Sequence, residues 1–228
     1  MEEKISNKII ITNDGSPTLM SGRFGETYHS THGAIQESEH VFLKSGLQHW
    51  LVNGNNRLRI FEMGLGSGLN VWLTCAASSE KGLYIDYHSV ELYPLDYSVI
   101  EAYSKELKIE KDDIFWRIHK AEWDGDLKSI SSNFGLAKYQ VSLLEFEFPA
   151  EIDLVFYDAF APSVQPELWT AEVFRKIFNS MNNGAILVTY CCKGDVRRAM
   201  ISVGFEVERI AGPPGKREMI RATKPLTE

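Results

Sequence analysis

The segment that most constrains the fold runs from Ile60 to Asn70. An apolar run leads into one acid, Glu62, and three glycines follow at alternate positions. An apolar pattern at helical spacing comes next, so the segment predicts a strand, a tight turn and a helix. Glycine permits positive φ and close approach of a ligand, and the free N–H groups of a helix N-terminus bind polar or anionic atoms. We therefore interpret the turn as a cradle for a nucleotide-like cofactor, with a tight turn without a ligand as the alternative.

Composition narrows the class of protein. The chain has 228 residues, of which 44% are hydrophobic, so it can fill the core of one α/β domain. No apolar run reaches the roughly 18 residues of a membrane span, and Met1–Lys4 do not resemble the start of a signal peptide. Cys75, Cys191 and Cys192 fit neither a disulfide framework nor a zinc site, and the six histidines lack metal-ligand spacing. We expect a cytoplasmic protein with reduced thiols and no metal.

Charge is unevenly distributed along the chain. The net charge is −7, which argues against a broad non-specific surface for nucleic acid. Residues 193–224 nevertheless carry +4, which leaves −11 for the remainder. This C-terminal segment is interpreted either as a solvated face or as a local patch that contacts phosphates.

The apolar patterns alternate between strand and helix periods after a short N-terminal part. Residues 8–20 predict a hairpin, residues 21–35 a loop, and residues 35–51 a helix. Further helices are expected at 67–79, 94–108, 167–181 and 194–202, with one or two short ones within 112–132. The expected strands are 57–63, 84–91, 141–146, 152–157, 185–190, 204–210 and 217–222. We divide the chain into an N-terminal extension, 1–56, packed on a main unit, 57–228.

The last two strands define the topology most sharply. Only residues 211–215 connect them, whereas a parallel crossover needs about a dozen residues, so the pair is antiparallel. The other strands alternate with helices, which implies a mostly parallel sheet covered on both faces. The prediction is an α/β, Rossmann-like sheet of seven strands that ends in an antiparallel hairpin. This pattern resembles the class I S-adenosylmethionine (SAM)-dependent methyltransferase fold.

Glu62 and the terminal strand hairpin separate this cofactor from a dinucleotide, since NAD enzymes also carry an acid at the position of Glu91. Gly64, Gly66 and Gly68 lack the spacing of the dinucleotide fingerprint. The carboxylate of Glu62 would repel a pyrophosphate but attract the ammonium of a methionine group. Glu91 ends the next strand, where it either accepts hydrogen bonds from ribose hydroxyls or caps a helix. Together these features predict SAM as the cofactor. Glu145, at the end of the expected third strand, either reaches the adenine or is simply exposed.

The loop from Asp158 to Trp169 carries the expected reaction. Asp158 follows the fourth strand, and ligands of open α/β sheets bind at such carboxyl ends. An aspartate there can orient an alkyl amine and help to remove its proton before methyl transfer, although a turn or capping role is the alternative. Phe160 and Pro162 would wall the pocket, and we expect Trp169 mainly to pack in the core.

These residues resemble one family. Three segments, Glu62–Asn70, Asp158–Trp169 and Gly215–Met219, are similar to the MnmC methyltransferase domain, a tRNA (5-methylaminomethyluridine) methyltransferase. The N-terminal part, Thr27–Ser30 with Gly33, Glu37 and Val41–Leu43, is also similar. The resemblance implies SAM-dependent methylation of the 5-aminomethyl group on the wobble uridine of tRNA. It assigns Asp158 to the target amine and Tyr28, Phe160 and Pro162 to the substrate. It assigns the cofactor to Glu62, Gly64, Gly66, Gly68, Leu69, Asn70 and Glu91.

The chain also departs from the family's pattern. Ala159 replaces a glycine that members often carry, and Ser163–Gln165 lack a lysine that is often present and is linked to tRNA contact. The flavin domain of two-domain relatives is absent, so the resemblance implies a stand-alone methyltransferase without flavin.

Three hypotheses follow from the sequence. In the first, the chain methylates tRNA, and Lys216 and Arg217 in the C-terminal segment contact phosphates. In the second, it methylates a small-molecule amine on the same fold, which suits its acidic composition. In the third, it binds SAM or tRNA without catalysis.

Overall fold

The structure is a computed structural model that describes residues 7–53 and 55–226. The expectation about Met1–Lys4 lies outside these residues. The strands are β1 (Lys8–Ile11), β2 (Pro17–Met20), β3 (Arg57–Met63), β4 (Tyr84–Val90), β5 (Lys128–Ser131), β6 (Phe134–Tyr139), β7 (Ile152–Tyr157), β8 (Met181–Thr189), β9 (Glu206–Ala211) and β10 (Glu218–Thr223). The α-helices are α1 (Ala34–Ser38), α2 (Leu69–Lys81), α3 (Tyr97–Glu106), α4 (Asp113–Lys120), α5 (Ala171–Ser180) and α6 (Gly194–Ser202). A π-helix, Glu39–Gln48, continues α1, and short 3₁₀ turns cover Leu51–Asn53 and Pro166–Trp169.

The main sheet has the order β5-β6-β4-β3-β7-β8-β10-β9. The five strands from β6 to β8 run parallel, and β10 is antiparallel to both β8 and β9, which confirms the predicted hairpin. The strand count was predicted as seven but is eight, because β5 adds an antiparallel edge beside β6. The mixed α/β class is confirmed.

The third predicted strand is wrong in position. Residues 141–146 form bends and a turn, and the strand beside β4 is β6, Phe134–Tyr139. The region 112–132, expected to be helical, holds α4 followed by β5. Ser132 and Asn133, residue types common in turns, connect β5 to β6, whereas Val141, Leu143 and Phe146 pack as a loop against the core.

Alternation along β7 divides the core between the two faces of the sheet. Val155 and Tyr157 pack with the α5 and α6 side, whereas Leu154 and Phe156 pack with the α2 side. All four side chains are fully buried, as expected for a central parallel strand. This burial fixes the register of β7, and with it the position of the residue that follows, Asp158.

The N-terminal part covers one face of this sheet. Val41, Phe42 and Leu47 of the π-helix are buried, and the ring of Phe42 lies 5.1 Å from that of Phe156 on β7. The hairpin β1–β2 leads into a loop that runs towards the carboxyl ends of the central strands. Within the described residues, no helix is long and apolar enough to span a membrane.

Candidate functional site

A cavity of about 300 Å³ opens where β3 and β7 lie side by side. The chain moves from β3 outwards to β4 and β6 and then returns to β7 on the other side, so the loops after β3 and β7 diverge here. Such a switch point is where open α/β sheets bind ligands. The walls are Phe24, residues 26–31, Glu37, Met63–Ser67, Leu69, Asn70, Glu91–Tyr93, Asp158–Ala161, Gln165, Tyr190 and Lys216.

The glycine turn forms the floor of the cavity, and its backbone requires glycine. Gly64, Gly66 and Gly68 have φ values of +90°, +53° and +73°. A Cβ atom on Gly64 would lie 3.0 Å from the carbonyl oxygen of Asp158, and one on Gly66 would lie 2.9 Å from a ring carbon of Tyr28. The turn therefore leaves no room for side chains between β3, β7 and Tyr28. Gly68 caps α2 from outside the cavity lining.

Glu91 lines the cavity at the end of β4. Its Oε2 accepts a hydrogen bond from the N–H of Gly66 at 3.2 Å, and its Oε1 accepts one from the N–H of Tyr93 at 2.8 Å. Burial raises the pKa of this carboxyl, and the backbone N–H groups oppose that rise. The carboxylate thus joins the glycine turn to the loop after β4.

Glu62 lies behind the turn and does not line the cavity. It is fully buried, and the hydroxyl of Ser89 donates a hydrogen bond to its Oε2 at 2.8 Å. Its Oε1 has no hydrogen-bond partner in the part of the chain that the structure describes. Burial raises the pKa of Glu62 to about 8, partly opposed by the Ser89 hydrogen bond.

Asp158 and Asn70 meet on the cavity wall. The Nδ2 of Asn70, in the first turn of α2, donates a hydrogen bond to Oδ2 of Asp158 at 2.9 Å. Burial raises the pKa of Asp158 to about 7, and Glu37 adds to this rise, whereas Asn70 and Lys216 oppose it. The Oδ1 of Asn70 is buried and has no partner among the described residues. The carboxyl of Asp158, with a pKa near 7, is therefore the hydrogen-bond acceptor that this pair presents to a ligand.

The charges around the cavity are mostly negative. Glu26, Glu37, Glu91 and Asp158 line it, whereas Lys216 is the one lysine or arginine in the lining that the structure describes. The ammonium of Lys216 is 2.8 Å from Oε1 of Glu37 and 3.8 Å from the ring centre of Tyr190. Because Lys216 is already paired, the remaining carboxylates favour a cationic ligand.

Aromatic rings form the wall opposite the glycine turn. The ring of Phe160 lies 4.7 Å from that of Phe24 and 5.2 Å from that of Tyr28. Trp169 holds the loop in place, since its Nε1 donates a hydrogen bond to the carbonyl of Phe160 at 2.8 Å and its side chain is buried. The expected packing role of Trp169 is therefore correct.

Besides Glu62, four expected site residues do not line the cavity. Glu145 is exposed in a turn, because the strand predicted to position it is formed by residues 134–139 instead. Arg217 is exposed at the β9–β10 connection, Pro162 lies outside the lining, and Gly68 caps α2. Lys216, expected on a phosphate-binding surface, points into the cavity and pairs with Glu37.

Several lining residues were not singled out from the sequence. Phe24 comes from the N-terminal part, and its proximity to Phe160 depends on long-range packing. Glu37 belongs to the part that resembles the family, but no site role was expected for it, and its contact with Lys216 likewise depends on long-range packing. Tyr190 and Tyr93 had a detectable signal, because each lies just beyond the carboxyl end of a parallel strand. That position alone marks them as candidates.

Comparison with known proteins identifies the family to which the chain is similar. Residues 104–225 match the family described as S-adenosyl-L-methionine-dependent methyltransferase. The bifunctional protein MnmC of Azoarcus sp. (strain BH72), named for tRNA 5-methylaminomethyl-2-thiouridine biosynthesis, is 30% identical over 91% of this chain and 34% of its own length. Its counterpart in Marinomonas sp. (strain MWYL1) is 31% identical over 90% of this chain and 32% of its own length. The chain thus spans about a third of these curated relatives.

Solved structures agree with the fold. MNMC2 from Aquifex aeolicus superposes with a TM-score of 0.78 and 26% identity, over 100% of this chain and 74% of that one. Spermidine synthase from Thermotoga maritima has a TM-score of 0.58 and 14% identity, over 97% of this chain and 70% of that one, and shows the fold alone.

The cavity fits the cofactor of that family. The glycine turn is a cradle that any Cβ would obstruct, and Glu91 places a carboxylate beside it. The unpartnered Oδ1 of Asn70 is a buried acceptor on the wall of this cavity, and it suits a ligand that carries ammonium or hydroxyl donors. The matched family, the fold and this donor set together show that the chain belongs to the S-adenosyl-L-methionine-dependent methyltransferases.

Proposed function

We propose that the chain transfers a methyl group from SAM to the nitrogen of the 5-aminomethyl group on the wobble uridine of tRNA, forming 5-methylaminomethyluridine. The assignment of an amine as the acceptor rests on the half-buried carboxyl of Asp158, which Asn70 holds in a cavity whose charged wall residues are mostly acidic. The assignment of tRNA as the substrate is supported by the names of the MnmC relatives. A cytoplasmic location, where tRNA and SAM meet, is part of the proposal.

The residues around the cavity suit the needs of such a reaction. SAM supplies an electrophilic methyl group, and an alkyl ammonium must lose a proton before its nitrogen can attack that carbon. Asp158 can accept a hydrogen bond from the ammonium and orient it, and its pKa near 7 makes it a better proton acceptor than an ordinary aspartate. Orientation of this kind contributes about 7–11 kcal/mol in favourable cases.

We assign the cofactor to the glycine side of the cavity and the acceptor to the aromatic side. Gly64, Gly66 and Leu69 would hold the methionine end with Glu62 behind them, and Glu91 would hold the ribose. Tyr28 and Phe160 would enclose the acceptor base. Since Phe24, residues 26–31 and Glu37 supply a wall, we propose that the extension 1–56 completes the site of the main unit 57–228.

A small-molecule amine is the second candidate acceptor. The observation in its favour is that four of the eight basic side chains of the C-terminal segment form ion pairs within the chain, which reduces the positive charge available there for RNA. The acidic cavity would accept any ammonium of suitable size. A role in binding without catalysis would leave the Asp158–Asn70 arrangement without a purpose.

Transfer of radiolabelled methyl groups tests these candidates directly. The chain is incubated with labelled SAM and either tRNA that lacks the modification or a panel of small primary amines. We expect label in tRNA, lost in Asp158→Asn and kept in the control Asp195→Asn, whose side chain is exposed on α6. Label in a free amine but not in tRNA would favour the second candidate, and no transfer to either would contradict both.

A further inference from the structure

The surface that holds an RNA acceptor must be sought outside the C-terminal segment. Five of its eight basic side chains are bound within the chain. These are Arg198 with Asp195, Arg209 with Glu218, Arg221 with Glu208, Lys216 with Glu37, and Lys224 with the carbonyls of Phe178 and Met181. The four cations that are paired with carboxylates release few counterions on binding RNA and contribute little affinity.

A different cluster lies at the mouth of the cavity, and we call it the aromatic rim: Arg23, Phe24, Tyr93 and Phe160. The ring of Phe24 lies 6.0 Å from that of Tyr93 and 4.7 Å from that of Phe160, so three rings form a continuous surface. Tyr93 is 41% exposed although it borders the cavity. Phe24 and Phe160 are half-buried, and an exposed ring that continues them at the mouth of a cavity indicates a surface for a planar ligand group.

Arg23 provides the positive charge of this rim. Its guanidinium carbon lies 3.9 Å from the ring centre of Tyr93. Stacking through the flat face leaves the N–H donors at the edge of the guanidinium free for a phosphate. Arg23 is exposed, and within residues 7–53 and 55–226 no carboxylate lies within ion-pair distance of it. Arg23 is therefore a cation that is held in place without being neutralised.

We propose that the aromatic rim binds an unstacked nucleotide of a single-stranded RNA loop, with the base on the rings of Phe24, Tyr93 and Phe160 and a phosphate on Arg23. This inference rests on the proposed function and names the surface that the RNA occupies. A base in a loop must leave its stack before its 5-substituent reaches Asp158 inside the cavity. Aromatic rings replace the lost stacking, and a nearby guanidinium fixes the backbone.

The rim fits a nucleotide better than the other partners of an exposed aromatic patch. An apolar peptide would leave Arg23 without a counterion, and a free small amine would gain nothing from a guanidinium. Only a ligand that combines a π-face with an anion next to it satisfies the three rings and the cation together.

Equilibrium binding to an anticodon stem-loop without the modification tests the rim. The affinity for this RNA is measured at several salt concentrations for the wild-type protein and for Arg23→Ala, Tyr93→Ala and Tyr93→Phe. Arg175→Ala, which removes an exposed guanidinium from α5, is the control for net charge. We expect Arg23→Ala to lower affinity about tenfold and the salt slope by about 1. Tyr93→Ala should weaken binding about tenfold, whereas Tyr93→Phe should keep the affinity because it keeps the ring.

Two results would overturn the proposal. One is an unchanged affinity and salt slope in Arg23→Ala, and the other is an equal loss in Arg175→Ala. The SAM affinity of each variant, measured in parallel, reports on folding. If the wild-type protein bound no stem-loop but methylated a free amine, the proposed action on tRNA would be wrong. That outcome differs from a failure of the rim alone, in which the wild-type protein and the rim variants bind the stem-loop equally well.

Discussion

The Nδ2 atom of Asn70 donates a hydrogen bond to Oδ2 of Asp158 across 2.9 Å. The bond links the start of α2 to the end of β7, two elements that are separated by 88 positions in the chain. It leaves Oδ1 of Asp158 available to a ligand and opposes the rise in pKa that burial causes. We therefore expect Asn70 to act on the reaction through Asp158 as well as through the cofactor.

Replacement of Asn70 by serine tests this relationship. Serine is too short to reach Asp158, so the carboxyl loses a donor and its pKa rises further above 7. The rising limb of kcat/KM against pH should move to higher pH, and kcat should fall more than SAM affinity does. An unchanged pH profile combined with a large loss of SAM affinity would assign Asn70 to the cofactor alone.

The glycine turn should tolerate no side chain at Gly66. In Gly66→Ala the methyl group would meet Tyr28 at 2.9 Å and would sit in a backbone region that disfavours alanine. We expect at least a tenfold loss of SAM affinity in calorimetry. Gly82→Ala is the matched control, since Gly82 has a similar φ of +65° and nothing within 4 Å. Equal SAM affinity in both variants would mean that the turn is not part of the cofactor site.

Glu62 should make folding stability depend on pH. Its pKa is about 8 in the folded chain and near 4.5 in the unfolded one, so between these values the folded state retains a proton that the unfolded state has released. Stability contributed by this group therefore falls as pH rises from 4.5 to 8. Glu62→Gln should gain stability relative to the unmodified chain across that window, by no more than about 5 kcal/mol. Denaturant titrations at pH 5 and pH 8 measure the difference, and a constant difference between the two proteins would contradict the assignment.

Glu37 and Lys216 should be coupled energetically. Their ion pair joins the N-terminal part to the β9–β10 connection, and Glu37 is largely buried, although Lys216 is partly exposed. A double-mutant cycle with Glu37→Gln and Lys216→Met should give a coupling of about 1 kcal/mol in unfolding free energy. The same cycle with Lys193→Met, an exposed cation, should give a coupling near zero. Equal coupling energies in the two cycles would show that Lys216 affects Glu37 only through the net charge of the protein and not through a specific ion pair.

Short-range patterns were enough to predict the central part of the fold. The five-residue connection before β10 required an antiparallel pair, and the apolar run of β7 marked a central strand. The turn at Gly64 and the acids at Glu91 and Asp158 follow parallel strands, so the pattern also brought them to one edge of the sheet.

Other features depend on packing that no local pattern contains. The apolar residues of 141–146 have strand-like character, yet β6 pairs with β4 because the short turn after β5 brings it there, and Glu145 is left outside the site. Lys216 is 179 positions from Glu37, and nothing near either residue indicates that they meet. The basic composition of residues 193–224 likewise did not reveal that most of its charges are paired internally.

The position of the transferred methyl group tests the central claim most directly. Undermodified tRNA is treated with the chain and SAM, digested to nucleosides and analysed by mass spectrometry, with Asp158→Asn in parallel. The account predicts that the wobble uridine gains one methyl group on the nitrogen of its 5-aminomethyl substituent, and that Asp158→Asn lowers this rate by about 10²- to 10⁴-fold while SAM affinity is retained. A methyl group on any other atom of the tRNA, or full activity in Asp158→Asn, would contradict it.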